Sequence, residues 1–202
     1  MGQPLRFSSA PAASGLSAWE AAWSPYDEET YRFALSHIGP EDVVLDIGAG
    51  DLRLARRLAG IACHVTAIEI NPAVLALSSP GLPPNLSVIC ADARHVPFPS
   101  NVTVGVLLMR HCEHFRLYVE KLRSVGCRRL ITNARWRMGV EVVDLGDSLP
   151  FEEVRAGWYA CKCGAVGIVP GTGPDDFATP EDMIAQEVEW CPACRCVSAG
   201  DA

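Results

Sequence analysis

Apolar residues along the chain alternate between short uninterrupted runs and segments in which they recur every three or four positions. The runs "VVLDI" (43–47), "HVTAIEI" (64–70), "LSVICAD" (86–92), "VTVGVLLM" (102–109), "RRLITNA" (128–134) and "GVEVVDL" (139–145) predict six strands. Between them, "YDEETYRFALSHI" (26–38) places Tyr31, Ala34, Leu35 and Ile38 on one helical face, and "LRLARRLAG" (52–60) does the same with Leu52, Ala55 and Leu58 before Gly60 stops it. "NPAVLALSS" (71–79) predicts a short helix, and "FRLYVEKLRSVG" (115–126) a longer one closed by Gly126. A last helix is expected in "ATPEDMIAQEVEW" (178–190), capped by Thr179 with Pro180 at its first position.

Strand and helix alternating in this order predict an α/β fold, a doubly wound and mostly parallel sheet with its ligand at the carboxyl ends of the strands. The residues up to about Ser17 are small and rich in Pro, Ser and Ala, and read as a loose tail. Three parts are expected: a tail and cap helix over 1–40, the sheet domain over 41–148, and a cysteine-bearing element over 149–202 that is free to continue the sheet.

Composition narrows the class. At 202 residues, 49% hydrophobic and 20% charged, the chain can form one sizeable core. No apolar run approaches the roughly 18 residues of a membrane span, and no basic segment followed by an apolar stretch opens the chain, so a cytoplasmic protein without membrane contact is expected. The net charge of −7 disfavours indiscriminate coating of nucleic acid. Charge is uneven, however. From Val104 to Gly139 eight Arg or Lys stand against Glu113 and Glu120, a local net of +6. That segment reads either as a basic face for an anionic substrate or as a solvated helix face with arginines at strand ends.

The turn after the first run, "DIGAGDL", sets the ligand. It lacks the lysine and hydroxyl of a triphosphate loop, and Arg53 stands where a dinucleotide fingerprint has its third glycine. Asp46 and Asp51 flank the glycines. Carboxylates there repel a pyrophosphate and suit a ligand carrying an ammonium and a sulfonium.

Three motifs carry a resemblance. "VVLDIGAGD", "VTAIEINPAVL" and "VICADARHVPF" are similar, in order, to the first three motifs of the class I S-adenosylmethionine-dependent methyltransferases, over roughly Glu41 to Leu145. One departure is Leu52, where many members carry a glycine. The resemblance implies the Rossmann-like fold and S-adenosyl-L-methionine as cofactor. It implies that Gly48 and Gly50 let the backbone approach the methionine part, and that Asp46 organises the turn and helps receive the amino group. It implies further that Glu69 accepts from the ribose hydroxyls, with Ile70 beside it, and that Asp92 accepts from the adenine amine, with Ala93 supplying a backbone contact.

Methyl transfer is an in-line displacement, so positioning supplies most of the catalysis and a base is needed only if the nucleophile must lose a proton. Where this family places substrate-facing residues the sequence reads "LLMRHCEHF", without the Asn/Asp-Pro-Pro-Tyr motif. His111, Glu113 and His114 are the candidate catalytic residues, as base or part of a metal site. The alternative is that they start a helix as caps or surface groups. Cys112 reads as a packed thiol.

Nine cysteines need an account. "YACKCGAVG" and "EWCPACRC" look like the two knuckles of a zinc ribbon, with Cys161, Cys163, Cys191 and Cys194 as four thiolate ligands of a structural zinc and Cys196 as a spare or alternate. Disulfides are the alternative. Cys63, Cys90 and Cys127 read as inert core thiols. The function expected is methyl transfer to an acceptor that is RNA, protein or a small molecule, with RNA ahead. The rivals are a non-catalytic cofactor-binding module recruiting a partner through its zinc element, and a nicotinamide oxidoreductase.

Overall fold

The structure is a computed structural model and describes residues 6–7, 25–76, 81–136, 139–171, 173 and 184–194. Its main sheet contains β1 (Arg6–Phe7), β2 (Val43–Ile47), β3 (His64–Glu69), β4 (Leu86–Cys90), β5 (Val104–Leu107), β6 (Arg129–Thr132) and β7 (Glu141–Asp144). The strand order is β1-β4-β3-β2-β5-β6-β7, parallel except for β7, which runs antiparallel to β6. The six expected strands are all present. β1 is an addition to them, because a two-residue strand in a Pro/Ser/Ala-rich tail has no periodicity; Arg6 and Phe7 pair with Ile89 and Cys90 at the edge of the sheet. The order of strands reverses between β2 and β5, which opens a crevice at their carboxyl ends.

The helices are α1 (Glu28–Ser36), α2 (Arg53–Ala59), α3 (Pro72–Ala76) and α4 (Phe115–Ser124). α1 is started by Asp27, whose carboxylate accepts from the Thr30 N–H at 2.8 Å, and Glu28 and Glu29 oppose the positive end of its dipole. Alternation along the strands divides the core between the two faces of the sheet. Val44 packs with Tyr31, Ala34, Ala55 and Leu58 beneath α1 and α2, while Leu45 and Ile47 pack with Phe115, Tyr118, Val119 and Leu122 of α4. Those four α4 positions follow the helical repeat that the sequence shows.

The chain beyond β7 builds a second sheet from β8 (Gly157–Cys161), β9 (Val166–Val169) and β10 (Gln186–Val188), in the order β10-β8-β9. Here the expectation of a helix over 178–190 fails in part. Gln186–Val188 is a strand paired in parallel with Tyr159–Cys161, and residues 178–183 lie outside the described residues. Pairing with a ready strand edge outweighs the helical spacing in this stretch.

Candidate active site and cysteine cluster

The glycine turn leaves β2 with two residues in the left-handed region, Gly48 at φ 74 and Gly50 at φ 56. A Cβ on Gly48 would lie 2.9 Å from the Met109 methyl group, so the turn also packs against the loop after β5. Leu52 continues this path at φ 65, an uncommon conformation for a leucine, and its side chain is buried beneath the helices.

Glu69 ties the turn down. Its Oε2 accepts from the Gly50 N–H and its Oε1 from the Asn71 N–H, both at 2.8 Å. Each carboxylate oxygen keeps a lone pair for a further donor. Asp46 is buried, and its Oδ2 has no hydrogen-bond partner among the described residues. Burial, with the Glu69 charge added, pushes its carboxyl up to about 7. A buried carboxyl in this state is suited to a cationic partner.

Asp51 behaves differently from its sequence reading. Arg53 grips it at 2.6 and 2.9 Å, so its charge is balanced locally and the electrostatic attraction at the turn rests on Asp46. At the end of β4, Asp92 is nearly buried and clamped by Arg94 at 2.7 and 2.9 Å. Burial pushes the Asp92 carboxyl up, but the Arg94 hydrogen bonds prevail and hold it below its ordinary value. Lys121 of α4 steadies the same loop by donating to the carbonyls of Ala93, Arg94 and Val96. Burial pulls the Lys121 ammonium down. Ile70 follows β3 beside Glu69, half-buried, and Ala93 is buried. The carboxyl ends of β2, β3 and β4 thus bring Asp46, Gly48, Gly50, Glu69, Ile70, Asp92 and Ala93 to one edge of the sheet.

His111 and Glu113 are exposed on the loop after β5, and His114 is half-buried at the N-cap of α4 without a side-chain capping bond. His114 Nε2 lies 3.2 Å from the Arg94 guanidinium, which connects it to Asp92. The one group of three or more potential metal donors among the described residues is a different one, so this trio is not gathered as a metal site.

The basic segment resolves into internal pairs. Arg116 bonds Glu120, Arg123 bonds Glu189, Arg129 bonds Asp42, and Arg135 is buried between Glu141 and Glu187. These four of the eight cations in the +6 segment are thus held by acids, while Arg137 lies outside the described residues.

The residues match a known pattern over the same span. Residues 44–126 match the family model described as "Methyltransferase domain". Over those residues the chain is similar to a methyltransferase domain. Among individual proteins, 68 residues are 40% identical to a probable ribosomal RNA small subunit methyltransferase A of Methanosarcina barkeri, and 68 are 38% identical to the namesake of Methanosarcina mazei. Each alignment covers 33% of this chain, and the chain spans about a quarter of the length of these relatives. Among solved structures, a precorrin 8w decarboxylase of Methanobacterium thermoautotrophicum is 25% identical with a TM-score of 0.45, covering 55% of this chain and 65% of that one.

Beyond the matched span, the cysteines converge. Cys161 closes β8, Cys163 and Gly164 form the turn into β9, and Cys191 and Cys194 follow β10. Their sulfurs lie 3.6 Å apart for Cys161 and Cys194, 3.8 Å for Cys163 and Cys191 and 3.9 Å for Cys191 and Cys194, and all four fall within 4.8 Å of one another. None forms a disulfide. Four sulfurs at a zinc–sulfur distance of about 2.3 Å in a tetrahedron are about 3.8 Å apart, so the spacing fits one ion. Backbone N–H groups of Cys163 and Cys191 point at the sulfurs of Cys161 and Cys194 at 3.5 and 3.4 Å. The hydrogen bond with Cys161 holds the Cys163 thiol down to about 5, and the same pairing pushes Cys161 up. Cys196 lies outside the described residues. Cys90 and Cys127 are buried as expected, but Cys63 is exposed, because it precedes β3 at the sheet rim instead of lying within the strand.

Three residues at these sites give no motif signal. Arg94, Lys121 and Arg135 look like surface cations in the sequence, and long-range pairing across 20 to 52 positions is what assigns them.

Proposed function

We propose that this chain is a cytoplasmic S-adenosylmethionine-dependent methyltransferase acting by in-line transfer, with RNA favoured as acceptor over protein or a small molecule. The observation that carries the reading is the buried Asp46 carboxyl beside the Gly48–Gly50 turn, whose Oδ2 has no hydrogen-bond partner among the described residues, where Glu69 already fixes the backbone. In this reading Asp46 receives the cofactor's amino group, and Glu69 turns its remaining lone pairs to the ribose hydroxyls. Asp92 accepts from the adenine amine with a carboxylate lone pair that Arg94 does not occupy. Gly48, Gly50, Ile70 and Ala93 line the cofactor by backbone approach. The bound cofactor supplies the methyl group, and the chain's own residues orient it and exclude water.

The RNA preference draws on the names of the archaeal relatives, since several arginines of the +6 segment are already held by acids of this chain. If a base is used, His114 is the best placed of the three candidates, through its contact with Arg94. His111 and Glu113 stand further out in solvent. Their exposure favours a second reading, a cofactor-binding module without turnover. We assign Cys161, Cys163, Cys191 and Cys194 to a structural zinc with all four positions filled by sulfur.

Calorimetry with S-adenosylhomocysteine on wild type and Glu69→Ala tests the cofactor assignment. Tight binding to wild type and a loss of about 100-fold in the variant are expected for two lost charged hydrogen bonds. Incorporation of labelled methyl into an RNA, protein or metabolite pool then separates enzyme from module. Binding of a reduced nicotinamide dinucleotide with none of S-adenosylhomocysteine would overturn the reading.

A further inference from the structure

Directly after β6 comes Asn133, which is 2% exposed; neither its Oδ1 nor its Nδ2 has a hydrogen-bond partner among the described residues. Burying both halves of a carboxamide unpaired is costly, and such groups are uncommon in a settled core. Asn133 instead lines a cavity of about 340 Å³, together with Asp27, Thr30, Phe33, Arg110 and Val140. That volume lies at the small end of the range for ligand sites, roughly 300–1,000 Å³.

Position links this cavity to the methyl donor's end of the sheet. Asn133 follows Thr132, which pairs with Leu107 at the end of β5. Two residues after Leu107, Met109 touches the Gly48 turn, and its neighbour Arg110 lines the cavity. The cofactor residues occupy the ends of β2, β3 and β4, so the ends of β5 and β6 are left for the acceptor.

We propose that the Asn133 cavity is the acceptor subsite and takes a neutral nucleobase, read by the Asn133 carboxamide; this rests on the methyltransferase reading above. A carboxamide offers one donor group and one acceptor in a single plane, the arrangement by which asparagine pairs with a base edge. Phe33, half-buried on α1, supplies a ring face for the heterocycle. Charge supports a neutral occupant. Asp27 and Glu29 stand on the rim with Arg110, and the Arg110 guanidinium lies 4.0 Å from the Asp27 carboxylate, so the rim holds neither a free cation for a phosphate nor a uniform field for an ammonium.

The test uses the full chain loaded with S-adenosylhomocysteine and titrated with adenosine, cytidine, guanosine and uridine under ligand-observed NMR. At least one nucleoside is expected to bind. Asn133→Leu should weaken that binding by about tenfold or more while leaving the affinity for S-adenosylhomocysteine unchanged, which also reports that the variant folds. Val140→Trp, which fills the cavity from a half-buried position, should weaken it without altering Asn133. Nucleoside affinity untouched by both variants, or no nucleoside bound by a protein that binds S-adenosylhomocysteine, would overturn the inference alone. Asn133-dependent binding of N-acetylglutamine amide in place of any nucleoside would also overturn it, in favour of a protein acceptor. Failure of the wild type to bind S-adenosylhomocysteine would sink the methyltransferase reading itself.

Discussion

Arg135 and Glu187, 52 positions apart, join the main sheet to the cysteine element through hydrogen bonds of 2.8 and 2.5 Å. The Arg135 side chain is fully buried and also bonds Glu141 of β7 at 2.8 and 2.6 Å. Burial opposes its charge, but the bonds to Glu187 and Glu141 prevail and push the guanidinium above its ordinary value. Lys162, between the two cysteines of the first knuckle, reaches the Asp144 carbonyl and lies 3.3 Å from Glu187. The cysteine element is thus bolted to the edge strand of the main sheet by a buried cation with two acids.

Removing that cation leaves two neighbouring acids held only by Lys162 on Glu187 and by the Trp136 indole N–H on Glu141. Arg135→Met should destabilise the protein by about 3 kcal/mol in urea unfolding. The acids are only partly exposed, at 20 and 24%, so solvent relieves some of the cost. An unchanged unfolding midpoint would show that the two sheets are not coupled through this residue.

Asp46 sets a pH dependence of opposite sign to an ordinary salt-bridged acid. Its folded value of about 7 lies above the ordinary 3.8 of an aspartate, so the folded state holds a proton that the unfolded chain releases. This group's penalty is absent below the unfolded value, grows as pH rises from about 4, and is complete above about 7. Asp46→Asn should therefore raise stability at pH 8 by on the order of 2 kcal/mol and flatten the fall between these limits. The same variant should weaken S-adenosylhomocysteine, and the wild-type affinity should rise as pH passes through about 7. A stability profile identical in the two proteins would contradict the assignment.

Zinc analysis should find one ion per chain, and prolonged chelation should lower the thermal midpoint and loosen β8, β9 and β10 in hydrogen exchange. Cys194→Ser, which removes a buried ligand, should purify without full zinc occupancy. Metal-free protein with unchanged exchange in β8 and β10 would argue that the four sulfurs pack without an ion.

Leu52 separates backbone strain from burial. A glycine there removes the cost of a left-handed leucine, about 1–2 kcal/mol, but also deletes a fully buried side chain worth about 3–5 kcal/mol with its cavity. The lost side chain outweighs the relieved strain, so Leu52→Gly should destabilise by about 2 kcal/mol in equilibrium unfolding. Stabilisation would show that strain at φ 65 dominates the position.

The turn and strand ends that we assign to the cofactor are local features, and the sequence shows them for that reason. Turn glycines, strand-end acids and apolar runs act within a few positions of one another, and the apolar runs and helical repeats account for the six expected strands and the helices through α4. The same holds for paired cysteines, whose spacing within each knuckle implies a shared centre.

Relationships between distant positions are not legible in this way. Residues 186–188 have helical spacing but become a strand because β8 offers them an edge. Most of the basic segment is taken up by internal partners. Asn133 gives no sequence signal at all; only folding buries its carboxamide beside a cavity, with no hydrogen-bond partner among the described residues. Local sequence set the elements and the cofactor turn through short-range sterics and charge. Which charges remain free, and which polar groups face a ligand, was decided by tertiary packing, because desolvation and pairing depend on neighbours that the chain brings together only when folded.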